Sequence, residues 1–185
     1  MFVNFTISIN SFIFVILYSI NLLLQYYPFI KLLKVEKLVD PHKTSSVDEC
    51  RLIDLKVIPD PNGKLAVTQN GSSLPFDIQR VFYLYDVPAG AVRGGHSHFK
   101  SEQVLMVATG SYRVIVNDGV DTRSFILNNP SKALYIPAGI WRELDNFASG
   151  TVSIVLASDS FNEEEYVRRL EDFIELTETK RNNNK

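Results

Sequence analysis

Cysteine and histidine are scarce in this chain, and their scarcity excludes several kinds of site. Cys50 is the single cysteine, so the chain can form neither an internal disulfide nor a cysteine-based zinc site. The three histidines are His42, His96 and His98. The formal net charge of −2 gives no general attraction to nucleic acid or to an anionic membrane, so we expect no nucleic-acid partner.

The N-terminal segment differs from the rest of the chain. Residues 2–30 carry no charged side chain, and the run FIFVILYSINLLL lies within a stretch long enough to span a bilayer. The segment has no basic start and no small-residue cleavage site, which argues against a secretory signal peptide. Two interpretations of residues 1–34 are open: a membrane anchor, or translated sequence upstream of the true start. Lys31, Lys34 and Lys37 would keep the following domain in the cytoplasm, at the membrane if the anchor is real.

The remaining sequence predicts one all-β domain. Residues 35–50 are polar and rich in turn-forming residues, so we predict a linker there. From residue 51 onward, β-branched and aromatic runs recur about every 8–12 residues, the spacing of a β-sandwich or barrel. We predict roughly ten strands in a domain over residues 51–178, followed by a disordered tail over 179–185.

One helix is predicted at the end of this domain. Ser160 and Glu163 have the spacing of a capping box, which marks the start of a helix. Apolar residues then recur at helical spacing: Tyr166, Leu170, Phe173, Ile174 and Leu176. We expect this face to cover the barrel or a partner subunit.

The segment RGGHSHFKSEQ, residues 93–103, concentrates the chemistry of the chain. Residues two apart in a strand point to the same face, so His96 and His98 would share the interior of a small barrel. Glu102 can join them from the next strand. With its flanking glycines, this pattern resembles the first motif of the cupin superfamily, in whose metal-binding members these three positions are ligands.

A second motif argues against a metal. PAGIWRELDN, residues 137–146, resembles the second cupin motif, but Arg142 stands where metal-binding members place a fourth ligand, a histidine. A guanidinium has no lone pair for a metal, and its charge repels a cation. We therefore predict no bound metal and no cofactor. The same residues suit proton transfer and anion stabilisation, because a histidine can be a neutral base at cellular pH. The alternative is that both histidines are buried only for packing.

Arg93 precedes His96 by three residues. The arrangement is similar to the R-G-x-H motif of nucleotide-sugar epimerases of this superfamily, in which the arginine binds a diphosphate. A guanidinium suits that role because its fork forms two parallel hydrogen bonds. A surface ion pair at the barrel rim is the alternative.

The motifs together resemble the sugar 3,4-ketoisomerases of the cupin superfamily, over about residues 50–175. The segments that carry the resemblance are RVFYLYDVPAGAVRGGHSHFKSEQVL, GSYRVIVNDG, ALYIPAGIWRELDNF and VLASDSFNEEEYVRRLEDF. The family acts without a metal on dTDP-4-keto-6-deoxyglucose, in making deoxyamino sugars for surface polysaccharides such as lipopolysaccharide O-antigen. This chain has GGHSHFK where many members have G-F-H-A-H-K, and Arg142 where many have histidine, which leaves the stereochemical outcome open.

The resemblance implies catalysis by proton transfer through an enediol. His96 or His98 would be the base that removes the C3 proton, the other would shuttle or orient, and Tyr83 would donate to the enolate oxygen. The substrate-binding residues implied are Arg93, Tyr85, Glu102, Gln103, Trp141 and Arg142. Packing is the alternative role for the two tyrosines and for Trp141.

Two other functions are open. A nucleotide-sugar 3,5-epimerase would need the same base and an acid on the opposite face of the ring. A non-catalytic sugar-binding cupin at the membrane would keep the barrel and Arg93 without a paired base. The expected partners are a dTDP-linked 4-keto-6-deoxy sugar and a second copy of the chain, since the aromatic strand at 80–87 and the family resemblance suggest a homodimer.

Overall fold

The computed structural model of this chain describes residues 45–71 and 74–183. The hydrophobic segment 1–34 and residues 35–44 of the predicted linker lie outside these ranges. No helix within the described ranges is both long enough and apolar enough to cross a membrane.

Short strands dominate the described residues, as the alternating sequence predicts. Twelve are present there, slightly more than the roughly ten expected. They are β1 (Arg51–Asp54), β2 (Lys56–Asp60), β3 (Gly63–Val67), β4 (Arg80–Leu84), β5 (Arg93–His98), β6 (Gln103–Thr109), β7 (Tyr112–Asn117), β8 (Thr122–Leu127), β9 (Lys132–Ile136), β10 (Trp141–Asp145), β11 (Val152–Ala157) and β12 (Tyr166–Val167).

The strands form two five-stranded antiparallel sheets. The first has the order β1-β9-β6-β11-β4 and the second the order β12-β5-β10-β7-β8, while β2 and β3 form a separate ribbon. Neighbours in each sheet are often distant in sequence; β11, for example, lies between β4 and β6. This jelly-roll arrangement confirms the predicted all-β fold.

The main core lies between the two sheets. On β7, Tyr112, Val114 and Val116 alternate with half-buried residues and point into the core. Leu105 of β6 and Leu134 of β9 meet them from the first sheet. A second apolar cluster covers the other face of the first sheet, where residues of the segment 74–78 pack against it.

The core begins before residue 51, inside the predicted linker. Ser46 and Glu49 form a capping box around a single 3-10 turn, Val47–Glu49. This turn buries Val47 and Cys50 in the main core, and burial raises the pKa of the Cys50 thiol to about 12, so the thiol is neutral. The polar composition of the segment conceals these two apolar anchors.

The C-terminal helix, α1, spans Leu170–Asn183 and begins later than predicted. At the predicted start, Asn162 and not Ser160 is the cap, and what it caps is a separate 3-10 turn, Glu163–Glu165, where its side chain accepts a hydrogen bond from the backbone of Glu164. β12 follows that turn and pairs with β5, which prevents the helix from starting at the capping-box spacing. At its other end, α1 continues into the predicted disordered tail. The helix packs on the second sheet, where the Phe173 ring lies 5.8 Å from that of Trp141.

Candidate active site

A cavity of about 330 Å³ lies between the two sheets. It receives side chains from β4, β5, β6, β10 and β11, together with a residue that follows β12. The lining residues are Phe82, Leu84, Val92, Arg93, Gly94, His96, Gln103, Leu105, Arg142, Leu144, Val155 and Arg168. Apolar walls around a few convergent polar groups are typical of a small-molecule site.

His96 and His98 lie side by side on β5, as the alternation of a strand requires. Their ring centroids are 5.0 Å apart and the rings are nearly perpendicular. His96 lines the cavity, whereas His98 is 1% exposed, is not among the lining residues, and borders a separate small pocket beside Phe173. The side-chain nitrogen of Gln103 lies 3.1 Å from Nε2 of His98. An amide nitrogen only donates, so this contact requires an unprotonated Nε2.

The surroundings of the pair favour its neutral form. Burial, and next the positive charge of Arg142, lower the pKa of His96 to about 4. The same two causes, in the same order, lower the pKa of His98 still further. Both imidazoles are therefore uncharged at cellular pH and able to accept a proton.

Arg142 lies on β10 opposite His96 on β5. Its side chain is buried, and Nη1 donates to the carbonyl oxygen of Ile140 at 3.1 Å. Among the described residues, no carboxylate forms an ion pair with this guanidinium. Burial lowers its pKa to about 9, which still leaves it protonated at neutral pH. A buried positive charge without a carboxylate partner is suited to an anionic ligand.

Gly94 allows β5 and β10 to approach closely at this point. Its φ is +84°, and a Cβ atom there would lie 2.8 Å from the carbonyl oxygen of Arg142. The register between the strands shifts between Arg142 and Glu143, opposite this glycine. The glycine and the shift together fix His96 beside Arg142.

Two arginines stand at the rim of the cavity. Arg93, predicted from the sequence, is exposed and lines the opening. Arg168 also lines it, and two hydrogen bonds of 2.5 and 2.7 Å to Glu163 hold its guanidinium. No local sequence pattern marks Arg168 as a site residue. It reaches the cavity because β12, which immediately precedes it, pairs with β5.

Of the adjacent residues Glu102 and Gln103, only Gln103 reaches the cavity. The carboxylate of Glu102 accepts a short hydrogen bond from the Tyr135 hydroxyl in a separate pocket beside Phe99. The expectation that Glu102 joins the histidines is therefore wrong, since neighbouring residues point in opposite directions here. No cluster of three or more His, Cys, Asp or Glu side chains that could hold a metal occurs within residues 45–71 and 74–183.

The aromatic residues predicted for the site also lie outside the cavity. Tyr83 and Tyr85 share a face, with ring centroids 5.6 Å apart, but they are 63% and 60% exposed. Phe82 and Leu84 line the cavity instead. Trp141 is buried against α1 and donates from Nε1 to Glu143 at 3.1 Å. Alternation shows which residues share a face and leaves open which face is internal.

Tyr166 is a further residue of the site that the sequence did not indicate. The predicted helix would have placed it on a packing face, but it belongs to β12. Its ring contacts both histidines.

Comparison with known proteins identifies the family. Residues 48–178 match the model of the family described as FdtA: WxcM-like, C-terminal. The chain belongs to this family. The resemblance to sugar 3,4-ketoisomerases is confirmed, because relatives of this part of the chain are named as sugar 3,4-ketoisomerases.

Relatives of this FdtA-type chain include enzymes and solved structures. It is 38% identical, over 68% of its length and 90% of the relative, to TDP-4-oxo-6-deoxy-α-D-glucose-3,4-oxoisomerase of Aneurinibacillus thermoaerophilus. A 3,4-ketoisomerase structure from Helicobacter canadensis has a TM-score of 0.69 and 37% identity, covering 70% of this chain and 98% of that one. QdtA, a sugar 3,4-ketoisomerase from Thermoanaerobacterium thermosaccharolyticum in complex with TDP, has a TM-score of 0.70 and 35% identity, covering 72% and 98%.

A more distant likeness confirms the cupin-type fold of this FdtA-family chain. The dTDP-4-dehydrorhamnose 3,5-epimerase of Bacillus anthracis has a TM-score of 0.59 over 67% of this chain and 80% of that one. At 14% identity, this likeness shows a common fold and carries no information about activity.

Proposed function

We propose that this protein is a 3,4-ketoisomerase of a TDP-linked 4-keto-6-deoxyhexose, with TDP-4-keto-6-deoxyglucose as substrate. The observation that carries the proposal is the neutral pair His96 and His98 beside the buried guanidinium of Arg142. The named activities of the relatives support it. A QdtA variant has also been solved in complex with TDP-4-keto-6-deoxyglucose, at 35% identity to this chain.

The reaction needs only movements of protons. The C4 ketone makes the C3 proton acidic, and a neutral imidazole removes it to leave an enediolate across C3 and C4. Delivery of a proton to C4, with loss of the C3 hydroxyl proton and protonation of the C4 oxygen, leaves the ketone at C3. Overall, C3 loses one carbon-bound proton and C4 gains one. No electron leaves the sugar, so the reaction requires no redox partner.

Each polar group of the cavity has a role in this scheme. His96 meets the sugar, and His98 behind it receives or returns protons, with its Nε2 oriented by Gln103. Arg142 supplies a fixed positive charge for the enediolate oxygen, without reorganisation during the reaction. No metal or cofactor has a part in these steps.

The arginines at the cavity opening account for recognition of the nucleotide. Arg93 and Arg168 both line it, and each guanidinium can form two parallel hydrogen bonds to phosphate oxygens. The diphosphate does not change charge during the isomerisation, so these contacts contribute to binding and little to the chemical step.

We also propose a cytoplasmic homodimer whose subunits meet at β4. This strand is at the edge of the first sheet and exposes Val81 and Tyr83, and Tyr85, the first residue after it, is exposed as well. A second copy that covers this strip would remove apolar surface from water and protect an open sheet edge. Light scattering that gives the mass of one chain at micromolar concentration would contradict the dimer. The hypothesis of a membrane anchor in residues 1–34 is tested by whether the full chain sediments with membranes.

The decisive experiment is product analysis in deuterated water. The full chain is incubated with dTDP-4-keto-6-deoxyglucose, and NMR follows the sugar ring. We expect a 3-keto product that carries solvent deuterium at C4 and retains the C5 proton. Exchange at both C3 and C5 would instead indicate a 3,5-epimerase. Binding without exchange or product would indicate a non-catalytic cupin, and a double variant with Asn at both histidines is the matched control.

A further inference from the structure

Tyr166 lies on β12, which consists of only two residues between a 3-10 turn and α1. β12 pairs with β5 so that Tyr166 stands directly opposite His98. Directly opposed residues of antiparallel strands share a face of the sheet. The phenol ring is therefore on the same side of the sheet as both histidine rings.

One ring contacts both imidazoles. The centroid of the Tyr166 ring lies 4.2 Å from that of His98 and 5.0 Å from that of His96. The two imidazoles are also 5.0 Å apart, so each of the three rings packs against the other two. Neither imidazole can turn far about its side-chain torsions without colliding with the phenol.

Other groups hold the phenol from behind. The Arg168 guanidinium lies 4.3 Å from its ring centroid, a cation–π contact. The Phe161 ring is 5.7 Å away. The hydroxyl accepts a hydrogen bond from Nη1 of Arg80 at 3.5 Å. Among the described residues, no hydrogen bond joins this hydroxyl to the imidazole of His96 or His98.

Hydrogen bonds alone do not orient this histidine pair. Catalytic histidines are commonly held by a hydrogen bond from one ring nitrogen to a carboxylate or a backbone carbonyl. Here Nδ1 of each imidazole lacks a hydrogen-bond partner within the described residues, and the polar contacts on the pair are an interaction of the His96 imidazole with the Gly94 backbone and the contact of Gln103 with Nε2 of His98. Neither contact comes from a carboxylate, so ring packing supplies the rest of the orientation.

We propose that Tyr166 is a positioning residue of the isomerisation, which holds both imidazoles in the orientation for proton transfer through its ring and not through its hydroxyl. The inference rests on the proposed function for its kinetic consequence. Its structural content, the orientation of the two histidines, is independent of the substrate.

The test compares Tyr166→Phe with Tyr166→Leu in the full chain. Phe keeps the ring, so kcat should stay within about twofold of wild type. Leu removes the flat wall, so kcat should fall at least about tenfold with little change in KM, because misplacement of a catalytic group affects the chemical step. The acid limb of the pH profile should move up towards the ordinary pKa of histidine in the Leu variant only, since water then reaches the imidazoles.

NMR of the imidazole nitrogens supplies a readout that needs no turnover. The tautomers and shifts of His96 and His98 should match wild type in Tyr166→Phe and change in Tyr166→Leu. Ile126→Ala is the control, since Ile126 is 65% exposed on β8, at the opposite edge of the second sheet from β12, and both readouts should be unchanged. Should Tyr166→Leu unfold, Tyr166→Met keeps volume without a flat ring and is judged by the same standard.

Two results would overturn the inference. Equal losses of kcat in the Phe and Leu variants would make the hydroxyl the active group. Imidazole spectra of the folded Leu or Met variant that match wild type would show that the ring does not position the histidines. If wild-type protein itself lacks isomerase activity, the proposed function fails, and the imidazole spectra still decide the positioning claim.

Discussion

Arg142 and His96 face each other across neighbouring strands, a buried positive charge beside a neutral base. Charges interact more strongly inside a protein than in water. The guanidinium therefore opposes protonation of the resting imidazole. In the proposed mechanism, the same charge would stabilise the enediolate that forms when the imidazole takes a proton from the sugar.

The pH profile should show this environment directly. Because burial and Arg142 lower the pKa of His96 to about 4, the base stays active well below the ordinary histidine value of 6.5. We expect the acid limb of kcat to lie below pH 6, and to move upward in Arg142→Gln because one opposing charge is lost. A limb at pH 6.5 in both proteins would contradict this account.

Stability should depend on pH in the same window. Between pH 6.5 and about 4 the unfolded chain protonates His96 and the folded chain does not, so the unfolded state binds more protons there. Stability is therefore lost as the pH falls through this window. Urea unfolding at pH 7 and pH 5 should show a smaller loss in His96→Asn than in wild type.

Replacement of either histidine should slow turnover strongly and leave binding nearly unchanged. A positioned general acid or base contributes about 10²–10⁴-fold in rate. His96→Asn and His98→Asn each keep a hydrogen-bonding group of similar size, so we expect kcat to fall by about that factor, with little change in affinity for TDP. If the variant with Asn at both positions still exchanges the C3 proton at the wild-type rate, the proposed mechanism is wrong.

Arg93→Ala should have the opposite kinetic signature. It removes a contact to a group whose charge is constant during the reaction, so the loss should appear mainly in KM. Arg123→Ala is the matched control, since Arg123 is on the edge strand β8, does not line the cavity, and pairs with Asp48. A tenfold drop in kcat at unchanged KM for Arg93→Ala would contradict a binding role.

Gly94→Ala and Gly95→Ala separate backbone strain from steric overlap. Both glycines have positive φ, so either alanine costs about 1–2 kcal/mol. Only at Gly94 would the new Cβ also meet the carbonyl oxygen of Arg142, at 2.8 Å, while nothing lies within 4 Å at Gly95. We expect Gly94→Ala to be the less stable protein in urea unfolding and to lose kcat as β5 and β10 separate. Equal stability of the two variants would argue against the close approach.

Activity should survive removal of metals. We expect less than one metal ion per chain by elemental analysis, and unchanged kcat after treatment with a chelator, because Arg142 occupies the position of a fourth ligand. The informative companion is Arg142→His, which places a third imidazole near His96 and His98 and should raise affinity for divalent zinc. One tightly bound iron, zinc or manganese ion in the wild type, with activity lost on its removal, would refute the prediction.

The sequence was sufficient for the fold and for part of the site. Alternating strands predict an all-β sandwich or barrel, and the H-x-H spacing predicts that both histidines lie on one face of their strand. Parity along a strand does not say which face is internal, which explains the misplacement of Tyr83 and Glu102. Tyr166 and Arg168 reach the site only through the pairing of β12 with β5, a contact between distant segments that leaves no local pattern. The same pairing overrides the capping-box spacing at Ser160 and delays the helix.

β12 follows the other eleven described strands in the chain, so it is synthesised after all of them. The ribosome releases β5, with both histidines, long before it releases Tyr166 and Arg168. We therefore expect a nascent chain to pair β5, β10, β7 and β8 before β12 can dock on β5. The two histidines would gain the packing of Tyr166, and the proposed site its final form, only at that late step.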